Sequence, residues 1–153
     1  WGATRSGVFV TLVSTHLKPD EAAYILNDSS SKALFLSASL GQTPLTLARD
    51  CKRLIPKVAS IFYADNEPIA GARPLGEALA EMSAERVPDE ISGFHMIYSS
   101  GTTGRPKGVV LPFTPGPIDE FNPLEGRMPF HDEVKPLVSL NVGPLYHGAP
   151  LST

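Results

Sequence analysis

Cysteine and excess charge are scarce in this chain, and each scarcity excludes something. The single Cys51 cannot form an internal disulfide, which removes a disulfide-stapled scaffold and fits a reducing compartment, so a cytoplasmic protein is expected. Thirteen Lys and Arg stand against 16 Asp and Glu, a formal charge of −3, so no basic field is available to hold nucleic acid. Pro, Lys, Asp or Ser interrupts every apolar stretch short of the roughly 18 residues a membrane-spanning helix needs, although a peripheral membrane contact stays compatible with the sequence. There is no internal repeat, no collagen-like glycine period, no sustained heptad, and no basic-then-apolar leader at the start. What remains is a globular chain of 153 residues, 42% hydrophobic and 19% charged, long enough to bury one sizeable core. It opens at Trp1 without an initiator Met and closes at Thr153 after a structured-looking stretch, so a piece of a longer protein is expected.

Proline and glycine are present in quantity, 15 and 13 residues, but stay below the roughly 25–30% at which low-complexity disorder becomes the better reading. The prolines are unevenly placed, six before Arg105 and nine from Pro106 onward. In the first part they punctuate alternating strand-like and helix-like segments. Gly7–Leu12 is short, apolar and β-branched, as a strand covered on both faces should be. Pro19 with Asp20 and Glu21 marks a helix start; Ala22, Ile25 and Leu26 form its apolar stripe, and Asn27–Ser30 ends it. Ala33–Leu36 reads as a second buried strand. Thr43-Pro44 reads as an N-cap and first-turn proline for a helix carrying Leu47, Ala48, Cys51, Leu54 and Ile55. Val58–Tyr63 is a third strand; Leu75, Leu79 and Met82 mark a short helix, and His95–Tyr98 is a fourth strand. Alternation of this kind predicts an α/β fold of βαβ units with a mainly parallel sheet. Ligands in such sheets sit beyond the carboxyl ends of strands, which directs attention to the residues after Tyr98.

Those residues are Ser99-Ser100-Gly101-Thr102-Thr103-Gly104-Arg105-Pro106-Lys107-Gly108. Glycines let backbone N–H groups approach phosphate oxygens, and the four hydroxyls of Ser99, Ser100, Thr102 and Thr103 can donate further hydrogen bonds. Lys107 adds a point charge; a lysine–phosphate pair ~4 Å apart is worth about 4 kcal/mol at an effective dielectric near ~20. A Walker A loop fails at two defining positions, since Pro106 replaces the second glycine and Gly108 replaces the Mg²⁺-binding hydroxyl. A solvated turn is the bland alternative for such a composition.

The run Met96-Ile97-Tyr98-Ser99-Ser100-Gly101-Thr102-Thr103-Gly104-Arg105-Pro106-Lys107-Gly108 resembles the AMP-binding signature of the adenylate-forming superfamily, which includes acyl-CoA synthetases and peptide-synthetase adenylation domains. Two more stretches fit in order. Arg5–Leu12, Leu17–Glu21 and Tyr24–Ser29 resemble the family's early strand–helix scaffold, and Pro144-Leu145-Tyr146-His147 resembles the motif facing the acyl pocket and the forming adenylate. The resemblance implies an incomplete N-terminal domain. In it 1–98 would be a βα scaffold, 99–108 the phosphate loop, 109–137 an irregular Pro-rich insertion, and 138–153 a strand and helix start. It also implies ATP-dependent activation of a carboxylic acid, fatty or bulky, to an acyl-adenylate, followed by thioesterification to coenzyme A, with Mg²⁺ as a further cofactor. Ser99, Ser100, Gly101, Thr102, Thr103, Gly104 and Lys107 would contact the ATP phosphates, and Tyr146 and His147 the acyl group. The family's later elements, including the C-terminal catalytic lysine, have no counterpart here, so no residue of this stretch is assigned as catalytic and none as a metal ligand. Alternatives are an enzyme loading a carrier-protein thiol and a non-catalytic remnant.

Other residues have plainer readings. His147 alone could cap a helix near Gly148; His16, His95 and His131 lack metal-ligand spacing. Cys51 belongs to an apolar helical face, Tyr98 packs a strand end, and Asp119-Glu120 and Asp132-Glu133 read as wet loop surface. Arg105 either adds charge at the phosphates or faces water.

Overall fold

The structure, a computed structural model, describes residues 2–99, 104–110, 112–118 and 143. In chain order its strands and α-helices are β1 (Val10–Thr11), α1 (Pro19–Asp28), β2 (Ala33–Leu36), α2 (Gln42–Arg49), α3 (Cys51–Leu54), β3 (Ser60–Tyr63), β4 (Arg73–Pro74), α4 (Leu75–Ala80), β5 (His95–Ser99) and β6 (Lys107–Val109). The α/β class expected from the alternation is present. The described strands form two three-stranded sheets, ordered β1-β5-β6 and β2-β3-β4. The chain divides into two compact units: Val13–Arg86 with Tyr98–Gly108, and the described residues of 1–12, 87–97 and 109–153.

The first of these contains the aliphatic core. Pro19 opens α1, where its missing N–H costs nothing. The Glu21 carboxylate accepts the Lys18 backbone N–H at 2.8 Å, satisfying a donor ahead of the helix, and Asp20 and Glu21 lie at the positive end of its dipole. At the other end the Lys57 ammonium donates to the Asn27 carbonyl at 3.1 Å, the sign the helix C-terminus favours. Between these ends α1 buries Ala22, Ala23, Ile25 and Leu26. Ala22, Ala23 and Leu26 pack with Leu36, Leu47, Ala48, Ile55, Ile61 and Ile69, each large aliphatic side chain contributing about 1.5–3 kcal/mol. Strands β2 and β3 run parallel, from Ala33↔Ser60 to Leu36↔Tyr63, with α2 and α3 as the crossover, and β3 pairs in parallel with β4. This is the βαβ unit that the sequence pattern predicts.

Three local expectations are corrected. Thr43 is not an N-cap: α2 starts at Gln42, two residues before Pro44, behind Gly41, which holds φ +90, and the Thr43 hydroxyl donates to the Leu17 carbonyl at 2.9 Å. The second strand is not buried on both faces, because Phe35 points outward, 58% exposed, and stacks on Phe62 at 5.3 Å. Helix α4 exists, but it buries Ala78, while Leu79 and Met82 are 61% and 65% exposed. Met82 lies beyond the last helical residue, Ala80, and the side of α4 that carries Leu79 is not the side that meets the core.

The second unit gathers rings. Phe94, buried, stacks on Phe113 with centroids 5.0 Å apart, and Phe113 meets Phe9 edge-on at 5.8 Å. Buried Ser92 donates its hydroxyl to the Gly116 carbonyl and accepts the Gly116 N–H, both at 3.0 Å. The start of the Pro-rich stretch is thus tied down by one ring and one hydroxyl, and Ile91 bridges Pro117. Strand β1 is shorter than Gly7–Leu12 and pairs in parallel with β5, Val10↔His95 and Thr11↔Met96. Val8 and Phe9 are exposed rather than covered on both faces, since the chain before Val10 is occupied by a 3-10 turn at Thr4–Ser6 and a left-handed Gly7. Gly93 lies so close to the Val8 backbone that a Cβ would sit 2.3 Å from its carbonyl oxygen. The strand expected at 138–142 and the helix start near Gly148 lie outside the described residues. Among the described residues, no helix is long and apolar enough to cross a membrane.

Candidate functional site

Strand β5 delivers the chain to the glycine- and hydroxyl-rich loop, as expected. Of the residues assigned there, Ser99 closes β5 and is exposed, Gly104 is exposed with φ +83, and Lys107 is exposed as the first residue of β6. Ser100, Gly101, Thr102 and Thr103 lie outside the described residues, as do Tyr146 and His147. A Cβ at Gly104 would meet nothing within 4 Å, so this glycine serves the left-handed backbone rather than a close approach. Pro106 then fixes φ immediately before Lys107, and the strand that follows was not anticipated from sequence, where 99–108 reads as one loop. The described part of the site therefore offers a hydroxyl at a strand end and an unburied ammonium at the next strand's start. Both are free to meet an anion arriving from solvent, and a charge-assisted lysine contact is the stronger of the two.

The flanks of the loop have specific partners. The Tyr98 hydroxyl donates to an Asp28 carboxylate oxygen at 2.6 Å, so this side chain does more than pack a strand end. Burial pushes the Tyr98 hydroxyl above its ordinary pKa, and the hydrogen bond to the Asp28 carboxylate adds to the rise. The Arg105 guanidinium lies over the Tyr24 ring, 5.5 Å from its centroid. Leu17, Asp20, Glu21 and Tyr24 of the α1 region face Gly104, Arg105 and Pro106 across a groove of about 430 Å³.

Sequence reasoning missed Asp20, Tyr24 and Asp28 as neighbours of the loop. A signal was available: they recur every four residues, on the side of α1 opposite Ala22, Ala23, Ile25 and Leu26, so they form one surface row. Among the described histidines, His95 stacks on Phe94 at 4.2 Å and His16 is exposed; His131 lies outside the described residues. Cys51 is half-buried against the aliphatic core, consistent with packing. Among the described residues no three His, Cys, Asp or Glu side chains come together as a metal site, and a magnesium ion held mainly by phosphate oxygens and water would not require one.

Residues 1–151 match the model of the AMP-binding enzyme family. The chain is 33% identical over 115 residues to the 4-hydroxybenzoate–CoA/benzoate–CoA ligase of Rhodopseudomonas palustris, covering 72% of this chain and 20% of that protein. It is 31% identical over 113 residues to the long-chain-fatty-acid–CoA ligase FadD13 of Mycobacterium tuberculosis, covering 72% of this chain and 21% of that one. Among solved structures, the anthranilate CoA ligase AuaEII in complex with anthranoyl-AMP superposes with a TM-score of 0.54 at 26% identity, over 71% of this chain and 21% of that one. The chain thus spans about a fifth of the length of the relatives it matches. Its parallel α/β units, its strand-to-loop junction at Ser99 and a family match running through residue 151 together place it: the chain belongs to the AMP-binding enzyme family of adenylate-forming ligases.

Proposed function

We propose that the protein carrying this chain activates a carboxylic acid with ATP and passes the acyl group to the thiol of coenzyme A. In the first step a carboxylate oxygen attacks the α-phosphorus, the bond to the bridging oxygen breaks, and pyrophosphate leaves. In the second the thiol sulfur attacks the acyl carbonyl carbon, AMP departs, and the thiol proton is lost. The role of this chain lies in the first step, where positioning and charge neutralisation of the departing phosphates lower the barrier. Lys107 supplies the positive charge, the hydroxyls of Ser99, Ser100, Thr102 and Thr103 supply donors, and Gly101 and Gly104 give the backbone its turn. Tyr146 and His147 border the acyl group and orient it; a carboxylate nucleophile is already ionised at neutral pH and needs no general base. Mg²⁺, when bound, would neutralise phosphate charge. In this reading 1–98 is scaffold, 99–108 the phosphate loop, 109–137 an insertion, and 138–153 the start of the acyl-side motif.

The observation that carries this reading is the Ser99–Gly108 loop at the carboxyl end of β5, inside a family match over residues 1–151. The acid is proposed to be fatty or otherwise bulky, with support from relatives named for long-chain fatty acids and for benzoates. The test is acid-dependent ATP–pyrophosphate exchange by the complete protein against a panel of aliphatic and aromatic acids. Exchange with at least one bulky acid, and a coenzyme A thioester as product, is expected; exchange with no acid would overturn the reading. A product found only on a carrier-protein thiol would replace the acceptor. The 153 residues alone, a fifth of their relatives' length, are expected to show no exchange.

A further inference from the structure

We infer that helix α1 holds both flanks of the phosphate loop through one row of side chains, and that Tyr24 and Asp28 are positioning residues for it. The inference rests on the phosphate-loop reading above. Its substance is a juxtaposition that neither the loop nor the helix reveals alone. Tyr98, immediately before Ser99, donates its hydroxyl to Asp28 at 2.6 Å. Arg105, immediately after Gly104, covers the Tyr24 ring at 5.5 Å. Tyr24 and Asp28 are four residues apart on α1, so their side chains lie one turn apart on the same face. The leading and trailing flanks of the loop are thus fastened to adjacent positions of one rigid element. Asp20, one turn earlier in the same row, lines the groove beside Arg105.

The opposite side of α1 is what makes this anchor rigid. Ala22, Ala23, Ile25 and Leu26 are buried, so the helix cannot rotate to follow the loop without exposing them. The two ties also differ in kind. A hydrogen bond to a carboxylate is short and directional, and it fixes where β5 releases the chain. A cation held over a ring is tolerant of small displacement, and it fixes the turn made by Gly104 while leaving Lys107 exposed. Lys107 is therefore presented to the anion by residues that never touch it.

The test uses the complete protein carrying Tyr24→Leu or Asp28→Ala, with Tyr24→Phe and Asp28→Asn as conservative partners that keep the ring and the acceptor. Two readouts are taken. The first is the rate of tryptic cleavage after Lys107 without nucleotide, a bond the protease can reach while Arg105–Pro106 resists it. The second is the KM for ATP against the KM for the acid in pyrophosphate exchange. Tyr24→Leu is expected to raise both cleavage and the ATP KM about two- to fivefold, and Asp28→Ala up to about tenfold, with the acid KM unmoved. Tyr24→Phe and Asp28→Asn should stay near the parent. Should Asp28→Ala fail to fold, Tyr98→Phe breaks the same bond from the loop side and should give the same shifts. In a soluble double variant, Asp28→Ala with Tyr98→Phe should be no worse than either alone. Unchanged cleavage in Tyr24→Leu and Asp28→Ala, or conservative variants as impaired as the disruptive ones, overturns the anchor. Faster cleavage with an unmoved ATP KM overturns the positioning role if Lys107→Ala does weaken ATP use. If Lys107→Ala is also without effect, the phosphate-loop reading falls and takes the positioning role with it.

Discussion

Residues 13–86 with 98–108 close around aliphatic side chains that arrive in near-unbroken helix and strand segments, whereas the other unit gathers Phe9, Phe94 and Phe113 from three distant stretches. The first kind of core is written in local periodicity: each element carries its own apolar stripe, and neighbouring elements in sequence are neighbours in space. The second depends on residues separated by some 20 to 100 positions, and no local pattern announces it. Two glycines mark the extremes of backbone spacing. In the aromatic unit Gly93 stands where another backbone passes, while in the aliphatic unit Gly76 on α4 has open space around it.

Substitutions can break this contrast, beginning with the largest effect. Gly93→Ala would drive a Cβ to within 2.3 Å of the Val8 carbonyl oxygen and 2.6 Å of its nitrogen. Because neither neighbour is a flexible side-chain end, a loss of about 4 kcal/mol or failure to fold is expected in denaturant unfolding. In the aliphatic unit, Ile55→Ala empties a site that is 1% exposed and should cost about 3 kcal/mol by the same measurement. Ser92→Ala removes a hydroxyl and leaves the Gly116 N–H without that acceptor, for about 1–2 kcal/mol. It should also speed proteolysis near residues 112–118, an effect Ile55→Ala should not share. Gly76→Ala is expected to stabilise by about 0.5–1 kcal/mol, seen as a higher melting temperature, because α4 gains a better helix former and no clash.

The smallest expected effect is a pH dependence confined to the aliphatic unit. The Ser37 hydroxyl, donating to Asp65 at 2.6 Å, holds that carboxyl below its ordinary range. A carboxyl depressed in the folded state contributes stability that is present above the unfolded pKa of about 4 and is lost as pH falls through the folded value. Asp65→Asn should therefore flatten the acid side of the melting-temperature profile and leave the neutral side nearly unchanged.

The same division explains how much was legible in the sequence. Helix α1 falls where Pro19 and the stripe of Ala22, Ile25 and Leu26 put it, because capping chemistry and burial agree there, and β2 keeps the bounds Ala33–Leu36 although only Leu36 is buried. Thr43 misled because its hydroxyl had a better partner in the Leu17 carbonyl, a contact 26 residues away. Leu79 and Met82 misled because spacing alone does not say which side of a short helix the core occupies. At the candidate site, the order of residues 96–108 resembles the family signature, and the family match over residues 1–151 agrees with that resemblance. Asp20, Tyr24 and Asp28 were readable as one surface row of α1, but not that the folded chain brings this row against Tyr98 and Arg105.

The central claim is that the loop leaving β5 binds the phosphates of ATP, and Lys107→Ala in the complete protein tests it most directly. ATP titration in acid-dependent pyrophosphate exchange should show a KM for ATP raised by about tenfold or more, as loss of a charged phosphate contact requires, with the acid KM unchanged. An ATP KM and kcat indistinguishable from those of the parent would contradict it.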